Sequence, residues 1–261
     1  MANLYFSDGL GNPEAGDLVT VSGDEGRHAV RVSRLRLGEQ TLVGDGRGLR
    51  AHGAVESLER DSFSMRVAGV ERTAEPARKL VLVQALAKGD RDERAVEQAT
   101  EFGVDAIVPW QAERSVSRWS GDKAEKGAAK WARIAREAAK QSMRGWIPEV
   151  HPLASTSDLL ALDGHLLVLH PRGESKLSAW LPTDDRDVYL VVGPEGGLSD
   201  AELAALGGET SGASARSDED PGSQQVGAPS RRIVLLGDDV LRTSSAGPAA
   251  LAVLNAALGR W

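Results

Sequence analysis

The stretch Val191-Val192-Gly193-Pro194-Glu195-Gly196-Gly197-Leu198-Ser199-Asp200-Ala201-Glu202 carries the reading of the fold. An apolar strand runs into a glycine-rich turn. A helix then starts with Ser199 as N-cap and Glu202 three residues on, the pattern of a capping box. Gly193, Gly196 and Gly197 have no side chain, so a ligand can lie against backbone amides, and Pro194 stiffens the turn. Open α/β sheets bind ligands at this position, beyond the carboxyl end of a strand. The turn lacks the Gly-Lys-Ser/Thr of a phosphate-binding loop and the Gly-x-Gly-x-x-Gly of a dinucleotide fold. Taken alone, it is equally well a tight connector.

Two further loops follow apolar strands in the same way. Leu169-His170-Pro171-Arg172-Gly173 follows Leu166–Leu169, and Leu236-Gly237 through Ala246-Gly247 follows Ile233–Leu236. Around them strands alternate with helices. Strands are expected at Leu80–Val83, Val104–Trp110 and Val188–Val192, and helices at Arg91–Phe102 (closed by Gly103), Ala128–Arg144 and Gly247–Leu258. Strand–helix alternation with continuous apolar strands means α/β with a mainly parallel sheet. Residues 1–74 read differently, as a small β-rich domain. Thr41-Leu42-Val43 leads into Gly44-Asp45-Gly46, Phe63, Met65 and Val67 alternate with smaller or polar residues, and a short helix follows Asp24, which can cap it. The polar, proline-stopped segment at Arg72–Ala77 is the linker, leaving 75–261 as the second domain. Gly207–Ser230 contains one branched aliphatic residue, Val226, and no aromatic residue, so it reads as a flexible surface insertion.

The chain of 261 residues is 41% hydrophobic and 26% charged, with length for two cores. It has no apolar run long enough for a membrane span, and its first residues lack the basic and apolar regions of a secretory signal. With no cysteine and no useful histidine spacing, neither a disulfide framework nor metal catalysis is expected, and a cytoplasmic location fits. The net charge of −7 argues against indiscriminate nucleic-acid binding. Local basic clusters remain, at Arg27, Arg31, Arg34 and Arg36 and at Lys130, Arg133, Arg136, Lys140 and Arg144. From charge alone these are solvated faces or small RNA-binding patches.

In this order, the loops resemble those of the SPOUT-class RNA methyltransferases, and most closely the RsmE family. The resemblance covers nearly the whole chain. It runs through His28-Ala29-Val30-Arg31-Val32-Ser33-Arg34, Gly38, Asp45-Gly46, Lys88-Gly89-Asp90, Ala99–Val104, Pro109 and Glu113-Arg114-Ser115. It continues through Glu137–Arg144, Ile147-Pro148, Gly193–Gly197 and Leu241-Arg242-Thr243. It implies a PUA-like RNA-binding β-barrel followed by a methyltransferase domain tied in a trefoil knot, a topology that strand patterning alone would not suggest. The implied activity is methyl transfer from S-adenosylmethionine to N3 of one uridine in small-subunit ribosomal RNA, free or in the assembled 30S subunit, by a homodimer. Two departures stand out: Gln98 where the family usually has lysine, and Ser244-Ser245 where Glu-Thr is common. A SPOUT enzyme for another RNA such as tRNA, and an assembly factor without catalysis, are the alternatives.

The resemblance also assigns residues. Leu169, His170, Gly193, Pro194, Glu195, Gly196, Gly197, Leu236, Gly237, Leu241, Thr243, Ser245 and Ala246 would hold the cofactor, largely through backbone groups. Arg242 would stabilise negative charge on the uracil carbonyls, and Glu195 is one candidate for accepting the N3 proton, although capping or cofactor contact explains it equally well. Arg27, His28, Arg31, Arg34, Arg114, Lys140, Arg144 and Arg172 would contact RNA. One consequence follows from composition alone. Replacing most of Gly208–Pro229 with a short Gly/Ser link should leave the melting temperature and activity nearly unchanged, because so polar a segment has little packing to lose and loop-closure entropy varies slowly with length. A large fall in melting temperature would show that the segment contributes to the folded core.

Overall fold

The computed structural model describes residues 3–208 and 230–261. Most of the expected insertion, residues 209–229, lies outside that set. The chain divides into two compact units, Met1–Pro76 with Arg136–Ile147, and Ala77–Ala135 with Pro148–Trp261.

In the first unit β1 (Leu4–Phe6), β2 (Leu18–Val21), β3 (Gln40–Gly44), β4 (Leu49–Leu58) and β5 (Phe63–Arg72) form one sheet in the order β1-β3-β4-β5-β2. Only the β1–β3 pair is parallel. Alternation along β5 sends Phe63, Met65 and Val67 into a core with Tyr5, Val43, Ala51 and Val55, as period-two patterning requires. The short helix α1 (Gly23–Arg27) widens into a π-helical turn at His28–Val32. Its N-cap is Ser22, whose side chain makes no capping bond, rather than Asp24, which pairs with Arg27 at 2.9 Å. Arg34 follows in the left-handed region with φ of 55°.

The segment 136–147, read from sequence as part of the second domain, packs in the first unit. Ala139, Met143 and Ile147 join Leu4 and Phe6 in a small apolar cluster. Lys140 is 7% exposed, and its Nζ donates to Glu25 Oε1 at 3.0 Å and to Glu137. Met143 takes φ of 58°, and its carbonyl accepts from Arg50 at 2.7 Å.

The second unit is an α/β sandwich around a seven-stranded sheet, β10-β12-β9-β11-β6-β7-β8, in which every paired strand is parallel. The strands are β6 (Leu80–Ala85), β7 (Ala106–Trp110), β8 (Glu149–Val150), β9 (His165–Leu169), β10 (Ser175–Lys176), β11 (Val188–Val192) and β12 (Arg231–Leu235). Both faces are covered, which is why the strands read as unbroken apolar runs. Leu80 and Leu82 point to one side with α2 (Arg91–Glu101), Trp131 of α3 (Asp122–Gln141) and α6 (Thr243–Ala257). Val81 and Val83 point to the other with α4 (Thr156–Leu160) and α5 (Asp200–Gly207).

Some boundaries move. Helix α6 begins at Thr243 rather than Gly247: the amides of Ser245 and Ala246 both bond the Arg242 carbonyl, at 2.9 and 3.0 Å, so the first turn precedes Pro248. Gly247-Pro248 resembles a helix start, yet the proline only deprives the Ser244 carbonyl of its usual partner. Helix α3 starts at Asp122, ahead of the expected Ala128, with Asp122 and Glu125 favourably placed in its first turn.

Lys140→Ala should lower the stability of the intact chain by about 2 kcal/mol. That is below the ~3–5 kcal/mol of a fully buried pair, because Glu25 can reach water. Lys140→Ala combined with Glu25→Gln should recover part of it. Urea unfolding checks this; an unmoved midpoint for the single variant would mean the pair contributes nothing to the fold.

Candidate functional site

Parallel register sets the site. Leu169 at the end of β9 lies beside Val192 of β11 on one side and Val234 of β12 on the other. The loops leaving all three strands therefore start at one level of the sheet, although 67 positions separate Leu169 from Leu236 in sequence. Between them is a cavity of about 530 Å³ lined by Leu169, His170, Pro171, Val192, Gly193, Pro194, Glu195, Gly197, Leu198, Val240, Leu241, Arg242, Thr243, Ala246 and Arg91. A second lobe of about 290 Å³ shares Leu169, His170, Leu241 and Ala246 and adds Leu236, Gly237, Asp238 and Asp239. Volumes of this order suit a cofactor-sized ligand.

Each loop is held by identifiable bonds. Ser199 and Glu202 form the reciprocal capping box of α5, and the buried Glu202 carboxylate also accepts the Glu113 amide at 2.7 Å. The Arg114 guanidinium donates to the carbonyls of Leu198 at 3.2 Å and Gly196 at 3.4 Å. Gly197 needs to be glycine, with φ of 69° on the cavity wall. At Gly193 a Cβ would sit 2.9 Å from Leu198 Cδ2, so a side chain there would have to displace the Leu198 side chain. The Thr243 hydroxyl donates to the Gly193 carbonyl at 2.9 Å and accepts from the Gln84 amide at 2.9 Å, joining the end of strand β6 to the loops after β11 and β12.

The charged groups fall into two sets. Among the described residues no hydrogen bond or ion pair is recorded for the Arg242 side chain, which stands exposed at the N-cap of α6 on the cavity wall. Glu195 is engaged: its Oε1 accepts from Arg91 at 2.6 Å and from the Lys88 amide at 3.1 Å. Burial pushes its pKa up, but the bonds from Arg91 and the backbone outweigh this and leave it below the ordinary glutamate value. Burial, aided by Arg172, lowers the pKa of His170, whose Nδ1 accepts the Arg172 amide at 3.1 Å. Asp92, at the start of α2, is raised by burial, although it accepts the amides of Ala87 and Glu93 and so fixes the bend after β6.

Of the residues expected around a cofactor, Gly196 and Ser245 line neither lobe; Gly196 instead faces Arg114. Those expected on RNA scatter. Arg114 is bound to loop carbonyls, Lys140 is buried on Glu25, Arg172 pairs with Asp200, and Arg144 is half-buried within the first unit. Arg27 and Arg31 both reach Asp61, at 3.8 and 2.6 Å, whereas Arg34 is exposed and has no partner among the described residues; His28 is half-buried beside them. Arg91 and Gln84 were missed. Arg91 directly follows the Lys88-Gly89-Asp90 motif, and Gln84 is a polar residue ending an apolar strand, so each left a trace in the sequence. Among the described residues no helix is long and apolar enough to cross a membrane, and no three metal-ligating side chains cluster.

Comparison with known proteins agrees with this geometry. Residues 74–213 match the model of an RNA methyltransferase domain, and residues 21–67 that of an RNA methyltransferase PUA domain. Ribosomal RNA small subunit methyltransferase E of Mycobacterium bovis is 38% identical over the whole chain and 94% of its own length. The Bacillus subtilis protein of that name is 34% identical over 72% of this chain and 77% of its own. Among solved structures, a methyltransferase candidate from Legionella pneumophila in complex with bound SAM superposes with a TM-score of 0.78 at 30% identity, covering 98% of each chain. Ribosomal RNA small subunit methyltransferase E from Neisseria gonorrhoeae, bound to S-adenosyl methionine, shares the fold with a TM-score of 0.77 at 23% identity over 98% of each chain. The chain belongs to the RsmE family of RNA methyltransferases.

Proposed function

We propose that this protein methylates N3 of a uridine in small-subunit ribosomal RNA, using S-adenosylmethionine held in the cavity at the ends of β9, β11 and β12. The observation that carries the reading is the convergence of three glycine-bearing loops on one cavity that also exposes the guanidinium of Arg242, which has no partner among the described residues. The residues fit the cofactor: Gly193 and Gly197 bare their backbone to the cavity, and Leu169, Leu236, Leu241 and Ala246 give it apolar walls. When bound, the cofactor supplies an electrophilic methyl group whose departure discharges a sulfonium, a reaction favoured by a poorly solvated wall.

The chain's own contribution is positioning and charge. As N3 loses its proton, negative charge spreads to O2 and O4, and Arg242, on the cavity wall, would stabilise it. N3 lies on the Watson–Crick edge, so the target base must be unpaired or flipped out. Arg34, exposed and without a partner among the described residues, supports phosphate binding by the first unit, with Arg31 partly neutralised by Asp61. The same reading includes a trefoil-knotted cytoplasmic homodimer acting on ribosomal RNA or the 30S subunit. The exposed Val240 and Leu241 beside the cavity supply apolar surface for a second copy.

Arg242→Ala should reduce methylation on the order of 10²–10³-fold while cofactor affinity by calorimetry stays within a few-fold; normal turnover would remove Arg242 from the mechanism. Mapping modified nucleosides by mass spectrometry in a strain lacking the gene identifies the target, and loss of a methyl group from another RNA class would overturn the ribosomal assignment. In the first unit, Arg34→Glu should flatten the dependence of log affinity on log salt by about 1 for RNA. Arg31→Glu should have a smaller effect, because Asp61 already offsets its charge. Equal slopes for both variants and the unmodified chain would make the cluster merely solvated surface.

A further inference from the structure

Arg91 comes from an element that none of the three glycine-bearing loops includes, yet it lines the same cavity as Arg242. It is the first residue of α2, directly after the tight bend at Gly89, where φ is 77°. That bend is fixed from below by the buried Asp92 carboxylate, which accepts the amides of Ala87 and Glu93 at 3.1 and 2.9 Å. From the side, Glu195 Oε1 takes both the Lys88 amide and Arg91 Nη1. One guanidinium edge is thus anchored, while the side chain remains 46% exposed. A carboxylate committed to two donors is a poor proton acceptor and a good clamp.

We propose that Arg91 is a second catalytic cation, held by Glu195 so that Arg91 and Arg242 each face one of the two carbonyl oxygens flanking uracil N3, and that Glu195 positions Arg91 rather than taking the proton. This rests on the methyltransferase reading above. The step balances simply. N3–H releases its proton to water, the N3 lone pair forms the new N–C bond, and the methyl–sulfur bond breaks with its electron pair returning to sulfur. The anion charge at O2 and O4 exists only between the first event and the second, so two cations there lower the cost of ionising a weak acid at neutral pH. The lowered pKa of Glu195 agrees, since it widens the gap between that carboxylate and so weak an acid. The other titratable and charged groups around the cavity are His170, whose lowered pKa keeps its titration below neutrality, and Asp238 and Asp239 in the adjoining lobe.

The test is the pH dependence of single-turnover methylation at saturating cofactor, for the full-length chain and for Arg91→Ala, Arg91→Lys and Glu195→Gln. Cofactor calorimetry and cofactor-free RNA affinity are measured on each. Arg91→Ala should lose about 10–100-fold at neutral pH and recover part of it as pH rises, because its rate limb moves alkaline; Arg91→Lys should fall between. Glu195→Gln should keep a measurable rate, with the limb unmoved or shifted to lower pH, since a negative charge has gone. A Glu195→Gln variant inactive at every pH, with cofactor and RNA still bound, would restore Glu195 as the proton acceptor and overturn the proposal. So would an Arg91→Ala profile of unchanged shape with only weaker RNA binding, which would place Arg91 on a phosphate. If the unmodified chain makes no N3-methyluridine, the underlying functional reading fails instead, and the two failures are told apart.

Discussion

Everything at the cavity depends on the parallel hydrogen-bond register across β12, β9 and β11. A parallel ladder aligns strands that start and stop at the same level, so their carboxyl ends open onto one edge of the sheet. Because Leu169 is flanked by Val192 and Val234, three loops from distant parts of the chain begin side by side. Slipping one strand by a single residue would send each side chain into the opposite apolar layer, where it does not fit, so the packing of both layers enforces the register that builds the site.

Above that edge, few side-chain bonds position the loops. Thr243 links the Gly193 carbonyl to the buried Gln84 amide, Arg114 holds Gly196 and Leu198, and Glu202 closes α5 while accepting the Glu113 amide. Thr243, Gln84 and Glu202 are buried, where losing one partner costs more than the bond itself contributes, whereas Arg114 holds its carbonyls from an exposed position. Arg242 contrasts with them. Its guanidinium is exposed on the cavity wall and has no partner among the described residues, while its neighbours are anchored.

In the first unit, position in the sequence misleads about charge. Arg27, Arg31 and Arg34 lie within eight residues, but Asp24 and Asp61 engage the first two. Asp61 comes from the β4–β5 turn, so its approach could not be read locally. The basic run at Lys130–Arg144 is likewise divided, since Lys130 pairs with Glu93 in the second unit and Lys140 is buried on Glu25 in the first. Neighbours in sequence were thus drawn to different acidic partners.

By itself the sequence determined the strand–helix alternation, the capping box at Ser199, the three glycine-bearing loops and the family resemblance. Each is a local pattern of period, cap or turn chemistry, governed by backbone sterics and by which side chains prefer burial. Tertiary structure alone decided which strands are neighbours, that residues 136–147 pack with the first unit, that α6 starts before Pro248, that Arg91 lines the cavity, and that the buried Gln84 braces Thr243 on its wall. The physical reason is that strand pairing and ion pairing are long-range choices. They are settled by burial of whole faces and by charges arriving from remote segments, which no window along the chain contains.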